Sequence, residues 1–180
     1  MRQVFQGRII RVNVETVRLP NGHVSDLEFI HHPGGAAVVA IDAEQQVCLL
    51  RQYRHAASGW IWELPAGKLE PQEPAQSTAK RELVEEAGRS AQTWESLGTY
   101  VSSPGVFTEI VHLYLARHLH SVKMALEDGE LIEVHWLPML EACRRAEIGE
   151  INDGKTIVGL LRARAMLSRE TSRDDTGLRP

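Results

Sequence analysis

The first third of the chain alternates polar with β-branched residues before it changes to short apolar runs. The alternation covers residues 4–19 and 24–31, and the turn sequence PNGH at 20–23 separates them, which predicts a β-hairpin. Apolar runs of strand length follow at 36–41 and 47–54. The pattern therefore predicts an N-terminal hairpin that stands apart from a main sheet.

A helical pattern occupies the middle of the chain and returns near its end. Residues 75–86 contain no proline or glycine and predict an α-helix, and Gly88 follows where a left-handed residue closes a helix. A short helix is predicted at 140–146, and a longer one begins after a cap at residue 152 or 153 and runs to about residue 167. Further strands are predicted at 60–64, 94–102, 110–116 and 132–137. Together these elements predict a layered α+β domain.

The composition indicates a globular protein but does not indicate a particular function. A length of 180 residues with 43% hydrophobic and 24% charged residues suits one globular domain. The formal net charge of −4 gives no chain-wide attraction to nucleic acid or to an acidic membrane. Cys48 and Cys143 lack a C-x-x-C spacing and are interpreted as reduced core residues. Because no secretory signal or membrane span is evident, we expect a cytoplasmic protein.

Three carboxylates lie on one side of the predicted central helix. Glu82 and Glu86 are one turn apart, and Glu85 is three positions from Glu82. Like charges at this spacing repel one another, and a divalent cation with oxygen ligands would reverse that penalty. A solvated acidic helix face is the alternative that these three residues alone leave open.

The residues around this helix form a longer pattern. Gly67 stands six positions before Glu73, and the block RELVEEAG begins eight positions after that glutamate. The stretch resembles the box of the Nudix hydrolases, G-x5-E-x7-R-E-U-x-E-E-x-G-U, in which U is a bulky aliphatic residue. The last U is replaced by Arg89. That difference concerns the packing after the helix and leaves the carboxylates in place.

The resemblance implies a fold and a domain division. The fold would be the α/β/α sandwich of the Nudix proteins, with a mixed central sheet, over residues 36–168. Residues 1–35 would form the N-terminal hairpin, which in this family can serve as a dimerisation element, so a homodimer is expected. Residues 169–180 are polar and are predicted to be a disordered tail.

The resemblance also implies a reaction and a set of metal ligands. A water molecule activated by Mg²⁺, with Mn²⁺ as a substitute, would attack a phosphoric anhydride. Glu82, Glu86 and the backbone carbonyl of Ala66 would be the metal ligands. Glu85 would be a further ligand or would orient the attacking water.

Two residues of the box would support the others rather than take part in the chemistry. Glu73 would brace the loop or the helix. Arg81 would hold Glu85 and the loop.

Three features outside the box resemble the ADP-ribose pyrophosphatase branch of the family. They are the sequence RQYR at 51–54, the turn SSPG at 102–105, and the acidic loop EDGE at 127–130. Pro104 lies sixteen residues after Gly88. The likeness implies that the substrate is ADP-ribose or a related ADP-sugar, split into AMP and a sugar phosphate.

Candidate residues for substrate binding come from these features and from their neighbours. Arg54 can contact the diphosphate with its guanidinium fork, and Arg51 is a second candidate for the same role. Glu109 can accept hydrogen bonds from ribose hydroxyls, and Ser103 in the turn completes the predicted set.

The general base is assigned to the acidic loop. Glu130 is the candidate that would deprotonate the attacking water, with Glu127 as the second choice. An acidic surface loop without a catalytic role is the open alternative.

The substrate is less strongly indicated than the reaction. GDP-mannose or NADH would be handled by the same box, so a pyrophosphatase for another nucleoside diphosphate derivative stays open. A nucleotide-binding sensor without catalysis is a third hypothesis. It is disfavoured because every box carboxylate is present.

Overall fold

The computed structural model describes residues 1–126 and 129–175 of the chain. Within these residues the strands are β1 (Arg2–Gln6), β2 (Arg11–Arg18), β3 (Val24–His31), β4 (Gly35–Ala40), β5 (Gln46–Arg54), β6 (Gly59–Glu63), β7 (Ala66–Lys68), β8 (Arg89–Val101), β9 (Ile110–Ser121) and β10 (Ile132–Pro138). The helices are α1 (Ala75–Ala87), α2 (Met139–Glu147) and α3 (Gly154–Asp175). None of the described helices is long and apolar enough to cross a membrane.

The main sheet is mixed, as predicted. Its strand order is β7-β4-β9-β8, in which β4 and β9 are parallel and the other pairs are antiparallel. A second sheet has the order β10-β5-β6 and is antiparallel throughout. The predicted turn at 65–67 is wrong, because Ala66 and Gly67 begin the short strand β7 at the edge of the main sheet.

Strand β4 lies between two helical layers. Its six residues are all buried, and alternate residues point to opposite faces. Ala37 and Val39 belong to the core that includes side chains of α2 and α3, whereas Ala36 and Val38 belong to the core beneath α1. A strand buried on both faces requires a layer on each side, so the α/β/α sandwich is confirmed.

The N-terminal region forms a three-stranded sheet in place of the predicted two-stranded hairpin. The predicted strand at 4–19 is wrong as one element, because the chain turns at Gly7, whose N–H donates to the Ile10 carbonyl at 2.9 Å. Strands β1 and β2 are therefore separate and antiparallel. The predicted pairing of β2 with β3 is confirmed, with Arg18 opposite Val24 beside the turn.

Helix α1 is confirmed within one residue of its predicted end. Gly88 follows it at φ 60°, and its N–H donates to the Leu83 and Val84 carbonyls. Strand β8 then begins at once, five residues before the predicted start at 94. Arg89 lies with its guanidinium carbon 5.4 Å from the centre of the Trp136 ring and donates to the Ser121 hydroxyl at 2.8 Å. The arginine thus fills the position of the missing aliphatic residue by packing on an aromatic ring.

Helix α3 is longer than the sequence pattern indicates. Asp153 is its cap, because Oδ2 accepts the Thr156 N–H at 3.1 Å. The helix continues to Asp175 and so includes residues 169–175 of the segment predicted to be a disordered tail, and 176–180 lie outside the described residues. The added turns contain no proline or glycine, and Glu170 pairs with Arg117 at 2.7 Å. A contact with the sheet therefore stabilises a segment that is polar throughout.

Candidate active site

A cavity of about 1050 Å³ lies between the box segment and the start of α3. Seven predicted site residues line it: Arg54, Ala66, Glu82, Glu85, Glu86, Glu109 and Glu130. The structure therefore brings together residues from the box, from β5 and from two later loops. Glu127, the second choice for the general base, lies outside the described residues.

Glu82 and Glu86 point from α1 toward the short strand β7. The Ala66 N–H donates to Glu86 Oε2 at 2.7 Å, which fixes this carboxylate against the strand. Gly67 lies so close to Glu82 that a Cβ atom there would be 1.7 Å from Glu82 Oε1. The box glycine is required because only a residue without a side chain leaves room for the glutamate.

The environment of these two carboxylates disfavours their negative charge. Burial raises the pKa of Glu86 to about 8; the Ala66 N–H opposes this shift, and the nearby charges of Glu82 and Glu130 add to it. Burial also raises the pKa of Glu82, although Arg81 opposes the shift. The helix therefore holds buried carboxylates whose charge a cation would stabilise.

Arg81 is the centre of a network that supports the acidic side of the cavity. Its Nη1 donates to Glu82 at 2.7 Å and to Glu85 at 2.9 Å, and its Nη2 donates to the Lys68 carbonyl at 3.3 Å. Its Nε donates to Glu73 at 3.2 Å, and the Arg81 hydrogen bond lowers the pKa of Glu73 to about 2. These contacts agree with the supporting roles predicted for Arg81 and Glu73.

The donor set suits a hard divalent cation. Its atoms are carboxylate oxygens and a backbone carbonyl, which are the ligands that Mg²⁺ prefers. Among residues 1–126 and 129–175, no three acidic, histidine or cysteine side chains form a metal cluster by themselves.

A cationic group faces the cavity from the other side. Arg54 donates from Nε and Nη2 to the two oxygens of Glu63, at 2.7 and 2.9 Å. Lys155, in the first turn of α3, donates to the same carboxylate at 2.6 Å. Burial alone would raise the pKa of Glu63, but the bonds from Arg54 and the charge of Lys155 outweigh it and lower that pKa. Glu63 and Lys155 are not among the predicted site residues, because 92 residues separate them and no local spacing links them.

Arg51 does not share the position of Arg54. Its guanidinium carbon lies 5.2 Å from the centre of the Trp62 ring, and within the described residues it is absent from the cavity lining. Residues three apart on a strand point to opposite faces, so β5 can aim one of these two arginines at the cavity. The structure therefore does not bring Arg51 together with the other candidate residues, and its contact with the substrate stays a prediction.

The predicted serine, Ser103, is not among the described residues that line the cavity, whereas its neighbour Ser102 is. Ser103 is exposed in the turn, where its carbonyl accepts the Val106 and Phe107 N–H groups. Its neighbour Ser102 lines the cavity, and the Ser102 hydroxyl is buried without a hydrogen-bond partner among the described residues. Ser102 is therefore the serine placed to bind a ligand.

Glu109 lines the cavity beside a histidine that is not among the predicted site residues. Its Oε1 is 3.3 Å from His32 Nδ1, and this ring nitrogen also accepts the Gly34 N–H at 3.1 Å. Burial lowers the pKa of His32, although Glu109 opposes the shift. Glu109 thus lies at the edge of the cavity, where its carboxylate can accept hydrogen bonds.

Comparison with known proteins agrees with this geometry. Residues 31–157 match the NUDIX domain, and residues 2–29 match the nucleoside diphosphate sugar hydrolase N-terminal domain. A methanol dehydrogenase activator of Bacillus methanolicus is 39% identical over 88% of this chain and 86% of its own length. An ADP-ribose pyrophosphatase of Bacillus subtilis is 39% identical over 86% and 84%.

More distant proteins agree as well. A GDP-mannose pyrophosphatase of Citrobacter koseri is 34% identical over 69% of this chain and 70% of its own length. A solved ADP compounds hydrolase has the same fold, with a TM-score of 0.81 at 20% identity over 94% and 92% of the two chains. From the box, the fold and these matches, the chain belongs to the Nudix hydrolase family, which acts on phosphoric anhydrides.

Proposed function

We propose that this protein hydrolyses the diphosphate of ADP-ribose, or of a closely related ADP-sugar, to AMP and ribose 5-phosphate. The observation that carries the proposal is that buried carboxylates on α1 and the guanidinium of Arg54 line one cavity of about 1050 Å³. A diphosphate needs cations on its oxygens and a site for the attacking water, and the two sides of this cavity suit those needs. The relative named as an ADP-ribose pyrophosphatase supports the choice of substrate.

The proposal includes a divalent metal, Mg²⁺ with Mn²⁺ as a substitute. Glu82, Glu86 and the carbonyl of Ala66 would hold it, with Glu85 as a further ligand or as the residue that orients the water. When bound, such an ion neutralises phosphate oxygens and lowers the pKa of a coordinated water. Gly67 and the Ala66 N–H support this assignment, because they fix the two main carboxylates against β7.

The remaining roles belong to side chains around the cavity. Arg54 would contact the diphosphate with the guanidinium hydrogens that Glu63 does not use. Glu130 would take the proton from the attacking water. Glu109 and Ser102 would bind sugar hydroxyls, since one supplies a carboxylate and the other a buried hydroxyl without a protein partner among the described residues.

A substrate panel tests the proposal. Purified protein is assayed with ADP-ribose, GDP-mannose and NADH in Mg²⁺, and kcat/KM is compared among them. We expect the highest value for ADP-ribose, with AMP and ribose 5-phosphate as products. A higher value for GDP-mannose would favour the alternative that the 34% identical GDP-mannose pyrophosphatase supports. Tight binding of ADP-ribose with no product over hours would favour the sensor hypothesis.

We also propose a homodimer that forms through the N-terminal sheet. Apolar side chains are exposed there, among them Val4 at 59%, Phe5 at 54% and Val24 at 46%. Burial of such residues against a second copy would stabilise a dimer. Sedimentation at micromolar concentration tests this, and a monomer under those conditions would contradict it.

A cytoplasmic location completes the proposal. Cys48 and Cys143 are buried free thiols, which suits a reducing compartment. Cell fractionation with an antibody against the protein tests the location, and recovery from a secreted or membrane fraction would contradict it.

A further inference from the structure

The carboxylate of Glu63 is bonded by two cationic side chains at once. Arg54 reaches it from β5 with two hydrogen bonds, and Lys155 reaches it from α3 with one. The Glu63 side chain is 2% exposed, whereas that of Arg54 is 42% exposed and lines the cavity. The buried carboxylate therefore links two cations that both line the cavity, one on a strand and one at the start of a helix.

The charges of this group determine what Arg54 can offer a substrate. Glu63 and Arg54 alone would form a neutral pair, and a neutral pair attracts a diphosphate weakly. Lys155 adds a positive charge 2.6 Å from the same carboxylate. Asp153 lies 3.1 Å from Lys155, but its carboxylate also accepts the Thr156 N–H and hydroxyl at the positive end of α3. Lys155 and the positive end of α3 together offset most of the charge of Glu63 and Asp153, so part of the charge of Arg54 remains directed at the cavity.

The start of α3 is held firmly in position. The Leu64 N–H donates to the Thr156 hydroxyl at 2.9 Å, which ties the first turn of the helix to the residue after Glu63. A Cβ atom at Gly154 would lie 2.4 Å from the Tyr100 hydroxyl, so the helix end packs closely against β8. Lys155 is therefore presented to Glu63 by a fixed backbone on both sides.

We propose that Lys155 is a positioning residue for the diphosphate: through Glu63 it fixes the Arg54 guanidinium and leaves its charge available to the substrate. This inference rests on the proposed function, because it assumes a diphosphate in the cavity. It goes beyond that function by assigning a role to a residue of α3 that lies outside the box and 92 residues from Glu63.

Three variants separate charge from shape at this position. Lys155→Met removes the charge and keeps the length, Lys155→Gln keeps a hydrogen bond to Glu63 without the charge, and Lys155→Arg keeps the charge. Lys80→Met is the matched control, because Lys80 is exposed on α1 with its Nζ 5.8 Å from the Trp94 ring centre. Circular dichroism and thermal melts establish that each variant is folded.

The primary measurement is calorimetric binding of α,β-methylene ADP-ribose, which cannot be hydrolysed, together with kcat and KM for ADP-ribose. We expect Lys155→Met and Lys155→Gln to raise Kd and KM about tenfold, as for loss of a charged hydrogen-bond partner. Lys155→Arg and Lys80→Met should stay within about threefold of wild type. An unchanged Kd in the folded Lys155→Gln variant overturns the inference, as does an equal loss in Lys155→Arg.

A double-mutant cycle tests whether Lys155 acts through Arg54. In an Arg54→Gln background, Lys155→Gln should change Kd by less than about twofold, because the group that it positions is gone. Additive losses would mean that Lys155 contacts the substrate independently, and would overturn the positioning role. Failure of the proposed function is distinguishable, because the wild-type protein itself would then neither bind the analogue nor hydrolyse ADP-ribose.

Discussion

The two sides of the cavity carry opposite charges and are built in different ways. On the acidic side, Glu82, Glu85 and Glu86 come from one helix and are placed by its pitch. On the cationic side, Arg54 and Lys155 come from different elements and meet only at Glu63. One side follows from local spacing, and the other exists only after the chain has folded.

The two sides also differ in how completely their charges are compensated. The cationic side contains its own counter-charge, because a buried carboxylate accepts three hydrogen bonds from the two cations. The acidic side has Arg81, yet burial still raises the pKa of Glu82 and Glu86. The acidic side therefore depends on a bound cation, whereas the cationic side is ready before any ligand arrives. Substitutions and metal should accordingly affect the two sides differently.

The largest effect is expected for Glu86→Gln on the acidic side. Loss of this carboxylate should lower kcat by about 10³-fold, which is ~4 kcal/mol of transition-state stabilisation, because a metal ligand is removed. In EDTA the variant should be at least as stable as wild type, since burial already disfavours the charged form of Glu86 and the amide has the same shape. Steady-state kinetics and thermal melts measure the two quantities. Glu44→Gln, in an exposed turn, is the control, and near wild-type turnover in Glu86→Gln would refute the metal assignment.

A smaller effect is expected for Arg54→Gln on the cationic side. The change should lower kcat/KM for ADP-ribose about 100-fold, because a bidentate cation is lost from the diphosphate. Arg51→Gln is a matched control on the same strand, since Arg51 packs on Trp62 instead of lining the cavity. It should stay within about threefold of wild type. Equal losses of kcat/KM in the two variants would contradict the assignment of Arg54 and Arg51 to opposite faces of β5.

The contrast between the two sides also explains what could be predicted from the sequence. The box glycines, the carboxylates and Arg81 lie within one short segment, where helical spacing relates sequence to geometry. Strand β4 is also predictable, because the short apolar run at 36–41 indicates a strand, and the resemblance of the box implies the helices on both of its faces. These features supply the reaction class and the layered fold.

The features that the sequence does not predict depend on contacts between segments that are distant along the chain. The role of Lys155 depends on its contact with Glu63. The face of the sheet on which Arg51 lies depends on the pairing of Arg51 with Trp62. The sequence predicts a turn where β7 forms, because these three residues acquire strand geometry only by pairing with β4. The sequence pattern predicts too short a helix α3, because the last turns are stabilised by Arg117, which is distant in sequence. Local propensity carries no information about such partners.

Metal should stabilise the folded protein through the acidic side alone. At ten times its Kd, Mg²⁺ would add about 1.4 kcal/mol to the free energy of unfolding and raise Tm by about 4 °C. Glu86→Gln should lose most of this shift, whereas Arg54→Gln should keep it. Thermal melts in EDTA and in a Mg²⁺ series measure the shifts. An equal shift in all three proteins would mean that Mg²⁺ binds elsewhere.

The smallest effect on turnover is expected at a box residue that belongs to neither side. Gly88 has φ 60°, and a Cβ atom there would lie 3.2 Å from the Val122 carbonyl oxygen and 3.3 Å from Met124 Cβ. Gly88→Ala should therefore lower the free energy of unfolding by about 1–2 kcal/mol through left-handed strain. It should leave kcat within about twofold of wild type, because the α1 carboxylates precede the strained residue. Urea unfolding and steady-state kinetics measure both effects. A large loss of turnover with unchanged stability would instead mean that this glycine positions the carboxylates, as Gly67 does.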